Sequence, residues 1–349
     1  MLKPNTTEPI LLFPSLKFSP SFSVFSRLLR GYIAIFIISV GLFGNPATIV
    51  VFCKANRWNN SGASYFFILA ITDFGNIFIH GLGNWLQDGL TIVTGYKKIN
   101  VLASHVVVCK LGEMFGTFCS LLSSWIVVMF AVERAIAVCS PLKATAFITN
   151  KRRRLAILLL ITSTIPINIL MLSVMDIQFT PGVGQSYCMI PWQTLGKSGS
   201  IILFVLFFLQ FTFPTLCIIV VNFVIIFVLK CPKTTEISRQ RIESSKLHKN
   251  QDLAITVNLL IISTTFALCM LPRVVVVTSY NLLTLFYERQ LSINDHMNMF
   301  QLMYTTSILW MVNYACNFII YSIRIKFFKT TMTELVKCRK SINDVIDDR

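Results

Sequence analysis

The sequence is short of charge, and of acidic charge above all. Asp, Glu, Lys and Arg make up 13% of the 349 residues, whereas a soluble domain has about 25%. Hydrophobic residues make up 54%, and the mean hydropathy is +0.69. So little charge cannot cover a water-facing surface of ordinary polarity, which excludes a large soluble enzyme. The high apolar content excludes a disordered chain, and an integral membrane protein remains.

The apolar residues fall into seven long stretches, each with at most two charged residues. A helix crosses the hydrocarbon core with about 20 such residues, and continuous runs of this length do not alternate as barrel strands do. Because lipid cannot satisfy backbone N–H and C=O groups, we predict seven membrane-spanning α-helices. The predicted spans are residues 31–53, 64–86, 105–132, 155–175, 199–229, 253–280 and 298–323.

The net charge of +16 indicates orientation rather than nucleic-acid binding. The loops after the first, third and fifth spans and the tail hold about twice as many Lys and Arg residues as the opposite side, and cations concentrate in the cytoplasm. We therefore expect a multi-pass plasma-membrane protein with an extracellular N-terminus (1–30), a seven-transmembrane domain (31–323) and a cytoplasmic tail (324–349). Asn5 then begins an Asn-Thr-Thr glycosylation acceptor on the outer side.

Two of the ten cysteines, Cys109 and Cys188, fall on the extracellular side of this topology. Because that side is oxidising, we predict a disulfide that ties the top of the third helix to the loop before the fifth; two unrelated thiols are the alternative. The loop, residues 175–197, has apolar residues on both sides of a Pro-Gly-rich turn, which favours a β-hairpin.

Short motifs occur in a fixed order on six of the predicted helices. They are Gly44-Asn45 in the first, Leu69-Ala70-Ile71-Thr72-Asp73 in the second, Glu133-Arg134 with Pro141-Leu142 at the end of the third, Pro214 in the fifth, Phe266-Ala267-Leu268-Cys269-Met270-Leu271-Pro272 in the sixth and Asn317-Phe318-Ile319-Ile320-Tyr321 in the seventh. Together with the topology they resemble the rhodopsin-like (class A) G-protein-coupled receptors. Residues 123–144 resemble the pattern of invertebrate neuropeptide receptors. Met270 departs from the family's Trp, and Phe318 from its Pro.

The resemblance implies a coupling site at the cytoplasmic end of the third helix. Arg134 would pair at rest with Glu133 and with Asp252 at the foot of the sixth helix, although an arginine that snorkels to the interface is the alternative. Outward movement of the sixth helix would free Arg134 for a G protein. The switch residues that the resemblance implies are Phe266, Met270, Pro272 and Tyr321.

A polar network in the middle of the membrane is also implied by the resemblance. A carboxylate at this depth is costly and normally has a partner or a role. The network, which could hold a sodium ion with Asp73 as the metal ligand, consists of Asp73, Ser123, Asn313 and Asn317. Oxygen ligands suit a hard cation, and a water-bridged structural network without an ion is the alternative. We expect no other cofactor.

The ligand class is narrowed by two absences. Gly116 stands where the family's amine receptors carry Asp, and the seventh span has no Lys that could bind retinal as a Schiff base. The predicted hairpin is similar to that of peptide receptors. The charges of Glu113 and Arg273 could bind a peptide's termini, or the two could pair only with each other. The candidate ligand-binding residues are Glu113, Gly116, Thr117, Trp192, Arg273, Tyr304 and Trp310, although inward-facing aromatic residues also serve packing.

The tail carries an apolar stripe at helical spacing. Phe328, Met332 and Leu335 lie at i, i+4 and i+7, with basic residues between them. This pattern predicts an amphipathic helix on the inner membrane surface. Cys338 is a palmitoylation site or an unmodified thiol, since the motif is loose.

The predicted fold is therefore an all-α, seven-transmembrane bundle with a short amphipathic C-terminal helix. The predicted function is that of a neuropeptide receptor that activates a heterotrimeric G protein and is not an enzyme; a chemosensory receptor for a small molecule is the alternative. A transporter would need inverted repeats or broken helices, and neither is evident. The expected partners are an extracellular peptide, a G protein, arrestin and membrane lipid, with no nucleic acid.

Overall fold

The structure, a computed structural model, describes residues 20–55, 63–95, 99–140, 144, 146–180, 185–230, 246–287 and 293–347. Seven helices in this part of the chain are long and apolar enough to cross a membrane, as predicted. We number them α1 to α7, and an eighth helix, α8, follows α7. Their bounds, with π-helical turns at Leu29–Ile33, Ile77–Leu82, Trp85–Gly89 and Phe208–Thr212, are Pro20–Leu28 and Ala34–Lys54 (α1), Ala63–Asn76 and Leu90–Thr94 (α2), Val106–Cys139 (α3), Asn150–Val174 (α4), Trp192–Phe207 and Phe213–Lys230 (α5), Lys246–Tyr287 (α6), Ile293–Arg324 (α7) and Lys326–Asp347 (α8).

Several helices extend beyond the stretches that hydropathy identifies. The first helix begins at Pro20 rather than at residue 31, and the second continues to Thr94. Hydropathy detects only the part of a helix that lies in the hydrocarbon core, whereas the polar ends lie at the interface. Proline is tolerated in the first turn of a helix. After Thr94, α2 is terminated by Gly95, whose φ of 71° is the left-handed conformation common after a helix.

The helices form a closed bundle around α3, which is the most buried of the seven spans. It packs against α2, α4 and α5, while α7 joins α6 to α1. Close approach of α1 and α7 depends on Gly44, because a Cβ at this position would collide with the ring of Phe318. Phe318 stands where the family has Pro. Its bulky ring fits because Gly44, on the facing side of α1, has no side chain.

The predicted hairpin and disulfide are both confirmed. Strands β1 (Asp176–Thr180) and β2 (Gln185–Met189) pair antiparallel, with Ile177 opposite Cys188. Cys188 is bonded to Cys109, and their Cα atoms are 5.4 Å apart. The disulfide therefore joins the hairpin to the first turn of α3.

A π-helical turn in α5 supplies a second tie to α3. The turn Phe208–Thr212 lies just before Pro214, which has no N–H to donate. The indole Nε1 of Trp125 in α3 donates to the carbonyl oxygen of Leu209 in this turn, at 3.0 Å. The hydrogen bond matters because a carbonyl group without a donor would be energetically unfavourable in these apolar surroundings.

The apolar stripe of α8 packs on the bundle itself. Phe328 is completely buried, and its ring centroid lies 6.0 Å from those of Phe52 in α1 and Tyr321 in α7. Met332 and Leu335 pack against the same core. The amphipathic C-terminal helix is therefore confirmed, with its first apolar residue anchored against α1 and α7.

Candidate functional site

Trp310 of α7 is the centre of an aromatic and charged cluster, here called the Trp310 cluster. The guanidinium carbon of Arg273 in α6 lies 4.9 Å from its ring centroid. The rings of Tyr314, His80 and Phe211 have centroids 5.3, 6.0 and 6.4 Å from that of Trp310. Side chains from α2, α5, α6 and α7 thus meet at one indole ring, which fixes its position.

Gly116 of α3 provides the space for one member of this cluster. A Cβ at Gly116 would collide with the imidazole ring of His80. The acidic residue that amine receptors carry at this position would therefore be incompatible with His80 as placed. Glu113 lies about one turn earlier on α3, close enough to His80 for an electrostatic interaction. The acidic residue in this part of α3 is therefore Glu113, which lies closer to the extracellular end than position 116 does.

The structure separates the two charges that could have paired with each other. Arg273 stacks on Trp310 and donates from Nη1 to the carbonyl oxygen of Met303 at 3.4 Å. Among the described residues, no ion pair joins Arg273 to Glu113. The alternative in which the two residues pair only with each other is therefore not what the structure shows.

The remaining candidate ligand residues have different surroundings. Thr117 is buried in α3. Tyr304 is half-buried, and the guanidinium carbon of Arg30 lies 5.5 Å from its ring centroid. Trp192 begins α5, but its side chain lies outside the described residues.

Three of the four predicted network residues meet in the middle of the bundle. Asp73 is completely buried, and its Oδ1 accepts a hydrogen bond from Ser123 Oγ at 2.6 Å. Its Oδ2 accepts one from Asn317 Nδ2 at 2.7 Å. Asn313 is buried nearby on α7, without a described hydrogen bond to Asp73. The carboxylate thus links α2, α3 and α7.

Two further amides surround this network. Asn76, one turn after Asp73, donates from Nδ2 to Ser120 Oγ. Asn45 of α1 donates from Nδ2 to the carbonyl oxygen of Tyr314 at 3.0 Å. The Oδ1 atoms of both amides are buried and have no hydrogen-bond partner in the described part of the chain. Two amide oxygens near the network, which can only accept, therefore lack a described donor.

At the cytoplasmic end of α3, the predicted pairing of Glu133 with Arg134 needs correction. Glu133 pairs instead with Arg153 of α4: Arg153 Nε donates to Oε2 at 3.2 Å and Nη2 donates to Oε1. Arg153 Nη1 donates to Asn150 Oδ1 at 2.8 Å, and its guanidinium carbon lies 5.6 Å from the Tyr65 ring centroid. Consecutive residues on a helix point in different directions, so Glu133 and Arg134 serve different neighbours.

Arg134 itself lies at the inner end of the bundle. It is largely buried, and its guanidinium carbon lies 5.3 Å from the ring centroid of Phe130. Asp252, its predicted partner, belongs to α6, but its side chain lies outside the described residues. The same holds for the side chain of Cys338 in α8 and for Asn5.

The predicted switch residues lie in the interior of α6 and at the end of α7. Phe266 and Met270 are buried, and Pro272 lies inside α6. Tyr321 is buried with its ring centroid 4.9 Å from that of Phe66 in α2. The hydroxyl oxygen of Tyr321 has no partner within the described residues. These side chains can therefore repack without breaking described hydrogen bonds of their own.

Two contributing residues, Arg153 and His80, were missed by sequence reasoning. Arg153 lies in a run of cytoplasmic cations, but it also begins the buried stripe of α4 that continues through Ile157, Thr164, Asn168 and Met171. That helical spacing could have identified it. No local pattern in the sequence relates His80 to Gly116.

The bundle, the disulfide-linked hairpin and the buried network define a seven-helix membrane receptor. The family described as 7 transmembrane receptor (rhodopsin family) matches residues 44–321. The chain belongs to this rhodopsin family of receptors, and it is a multi-pass protein of the plasma membrane. Receptors of this family are not enzymes.

A curated relative covers a smaller part of the chain. Over 123 residues the sequence is 29% identical to the neuromedin U receptor homolog nmur-2 of Caenorhabditis elegans. The matched region is 35% of this chain and 29% of the relative. The chain thus aligns with less than a third of that relative's length.

Proposed function

We propose that the protein is a neuropeptide receptor that activates a heterotrimeric G protein. The main support is a series of contacts that runs from one end of the bundle toward the other. Arg273 stacks on Trp310, Trp310 packs on Tyr314, and one turn later Asn317 binds Asp73. A ligand that moves Arg273 would therefore act on α7 and the buried carboxylate. The similarity to a neuromedin U receptor homolog and the open hairpin support a peptide ligand.

In this proposal α6 transmits the signal. Pro272 interrupts the backbone hydrogen bonding of α6 and provides a hinge. Repacking of Phe266 and Met270 would swing the inner end of α6 outward and expose Arg134. The receptor contributes no catalytic group and accelerates nucleotide release by the G protein. Arrestin would use the same inner surface, while the basic residues of α8 would contact anionic lipid.

Replacing Arg134 with Ala tests the coupling. We expect ligand-dependent nucleotide exchange to fall by about tenfold or more, because a charge-assisted contact is worth about 1.5–3 kcal/mol. The probe is a pool of synthetic neuropeptides that includes neuromedin U, applied at matched surface expression. Arg152→Ala is the control, since Arg152 is exposed at the same end of the bundle. Normal exchange by Arg134→Ala would overturn the proposal.

We further propose that the Asp73 network binds a sodium ion. The support is a buried carboxylate beside a hydroxyl group, with orphaned amide oxygens of Asn45 and Asn76 around it. Such oxygens suit a hard cation.

The sodium proposal predicts a cation-specific stabilisation. Replacing choline chloride with sodium chloride at constant ionic strength is expected to raise the unfolding midpoint of the purified receptor by about 2–5 °C. Asp73→Asn should abolish this difference, whereas Asp88→Asn, on the same helix, should retain it. Equal midpoints of the unaltered receptor in the two salts would favour the network without an ion.

A further inference from the structure

Three buried polar atoms in the Trp310 cluster make no close hydrogen bond within the described part of the chain: Arg273 Nε, Trp310 Nε1 and Tyr314 Oη. Tyr314 Oη lies near both Trp310 and Ser120, which leaves Arg273 Nε as the donor with no acceptor beside it. Trp310 is 4% exposed and Tyr314 is 0% exposed. Arg273 and Tyr314 both lie against the Trp310 ring, at 4.9 and 5.3 Å from its centroid. Buried donors without acceptors are rare in folded proteins and call for a reason.

The positive charge of Arg273 makes the imbalance specific. A guanidinium group carries five N–H donors and no acceptor, and it binds a carboxylate through two parallel hydrogen bonds. Here one described hydrogen bond goes to the carbonyl oxygen of Met303, and the ring of Trp310 receives the face of the group. Neither neighbour is an anion, and Glu113 interacts electrostatically with His80.

A second arginine, Arg30, also lies over an aromatic ring, but its Nε has a hydrogen-bond acceptor. Arg30 of α1 also lies over an aromatic ring, that of Tyr304 at 5.5 Å. Its Nε, however, donates to the carbonyl oxygen of Ser26 at 3.3 Å. A guanidinium that lies over an aromatic ring therefore does not by itself leave a donor without an acceptor.

We infer that the Trp310 cluster binds a carboxylate of the activating ligand, such as the free C-terminus of a peptide. This inference deepens the proposed function and depends on it. The carboxylate oxygens accept hydrogen bonds from Arg273, with Trp310 and Tyr314 as neighbouring donors. An amide in the same place should bind less well, because it has one acceptor oxygen and its NH₂ group would face other donors. Because Tyr314 is one turn from Asn317 on α7, the anion acts on the helix that holds Asp73.

The experiment compares acids with their amides on the purified full-length receptor. The probes are N-acetyl-phenylalanine, N-acetyl-leucine and N-acetyl-tryptophan, each as the free acid and as the primary amide, at millimolar concentrations. At least one acid is expected to raise the unfolding midpoint by about 2–4 °C, and its amide by less than half as much. Arg273→Gln should abolish the difference, and Arg273→Lys, which keeps the charge but not the two-pronged geometry, should retain a smaller part of it.

Control variants separate binding from folding. Arg30→Gln should leave the acid effect unchanged. If Arg273→Gln does not fold, Trp310→Phe and Tyr314→Phe each remove one donor while keeping Arg273, and each should reduce the preference for acid over amide. Acids and amides with equal effects, no effect of any acid, or an acid preference that survives in all three variants would overturn the inference.

Nucleotide exchange with the same probes distinguishes this inference from the proposed function. Acid-specific binding that never alters exchange on any G protein would overturn receptor signalling and leave the anion site intact. Exchange that acids and amides stimulate equally would overturn the anion site and leave receptor signalling intact.

Discussion

Replacing Arg153 with Met is expected to lower the free energy of unfolding by about 3–5 kcal/mol. The change leaves the carboxylate of Glu133, itself 8% exposed, without the two hydrogen bonds that Arg153 supplies. Glu133→Gln should have a cost of the same order, because it leaves the guanidinium of Arg153 buried without a counter-charge. Thermal unfolding of the purified variants measures both effects.

The double variant and a neighbouring cation provide the controls. Glu133→Gln combined with Arg153→Met should cost less than the sum of the single changes, with a coupling of about 1–3 kcal/mol. Arg152→Met should cost less than about 1 kcal/mol, because the exposed Arg152 side chain makes only a solvent-exposed hydrogen bond to the carbonyl oxygen of Ala146 and a contact with the Phe147 ring. Strictly additive effects, or a loss at Arg153 no greater than at Arg152, would contradict the buried pair.

This pair changes how the inner end of α3 is restrained. In the arrangement that the resemblance implies, the acid holds the following arginine, so that loss of the acid would release Arg134 directly. Here Glu133 is committed to α4, and Arg134 faces Phe130 instead. Glu133→Gln should therefore affect stability more than basal nucleotide exchange.

The fold was predictable because hydropathy and charge report directly on the membrane. Seven apolar runs gave seven helices, and the hairpin followed from the turn chemistry before Cys188. The helix ends were less predictable, since α2 continues to Thr94, beyond the strongly apolar run, and contains two π-helical turns. Such turns depend on neighbouring helices, and no residue pattern in the sequence specifies them.

The site was predictable where helical spacing and a motif agree. Asp73, Ser123 and Asn317 come together because each lies on the inward face of its own helix. The partner of Glu133 could not be read in the same way. It depends on the rotation of α4, which turns Arg153 inward and leaves Arg152 and Arg154 exposed in the same run of cations. The contact of Trp310 with Arg273 likewise depends on how α6 and α7 face each other.

Loss of the disulfide is the second large effect. Cys188→Ser is expected to lower stability by about 2–5 kcal/mol, since the bond closes a segment of 79 residues. Cys109 is completely buried with Met171, Met175, Ile190 and Leu206, so release of Cys188 also loosens a packed outer core. The hairpin would keep its own strand pairing and the hydrogen bond from Asn100 Nδ2 to the carbonyl oxygen of Ser186, at 2.7 Å.

The consequence for function follows from where the hairpin is attached. Its disulfide lies at the outer end of α3, the helix that carries Glu113. A loosened hairpin should therefore weaken the binding of a whole peptide more than the binding of a short fragment that reaches only the Trp310 cluster. Surface expression, unfolding midpoints and binding of the peptide pool measure these effects. Cys109→Ser and the double variant should match Cys188→Ser, because each breaks the same bond, whereas Cys53→Ser, which removes an exposed free thiol, should behave as the unaltered receptor does. Normal expression and binding by Cys188→Ser would show that packing alone holds the hairpin in place.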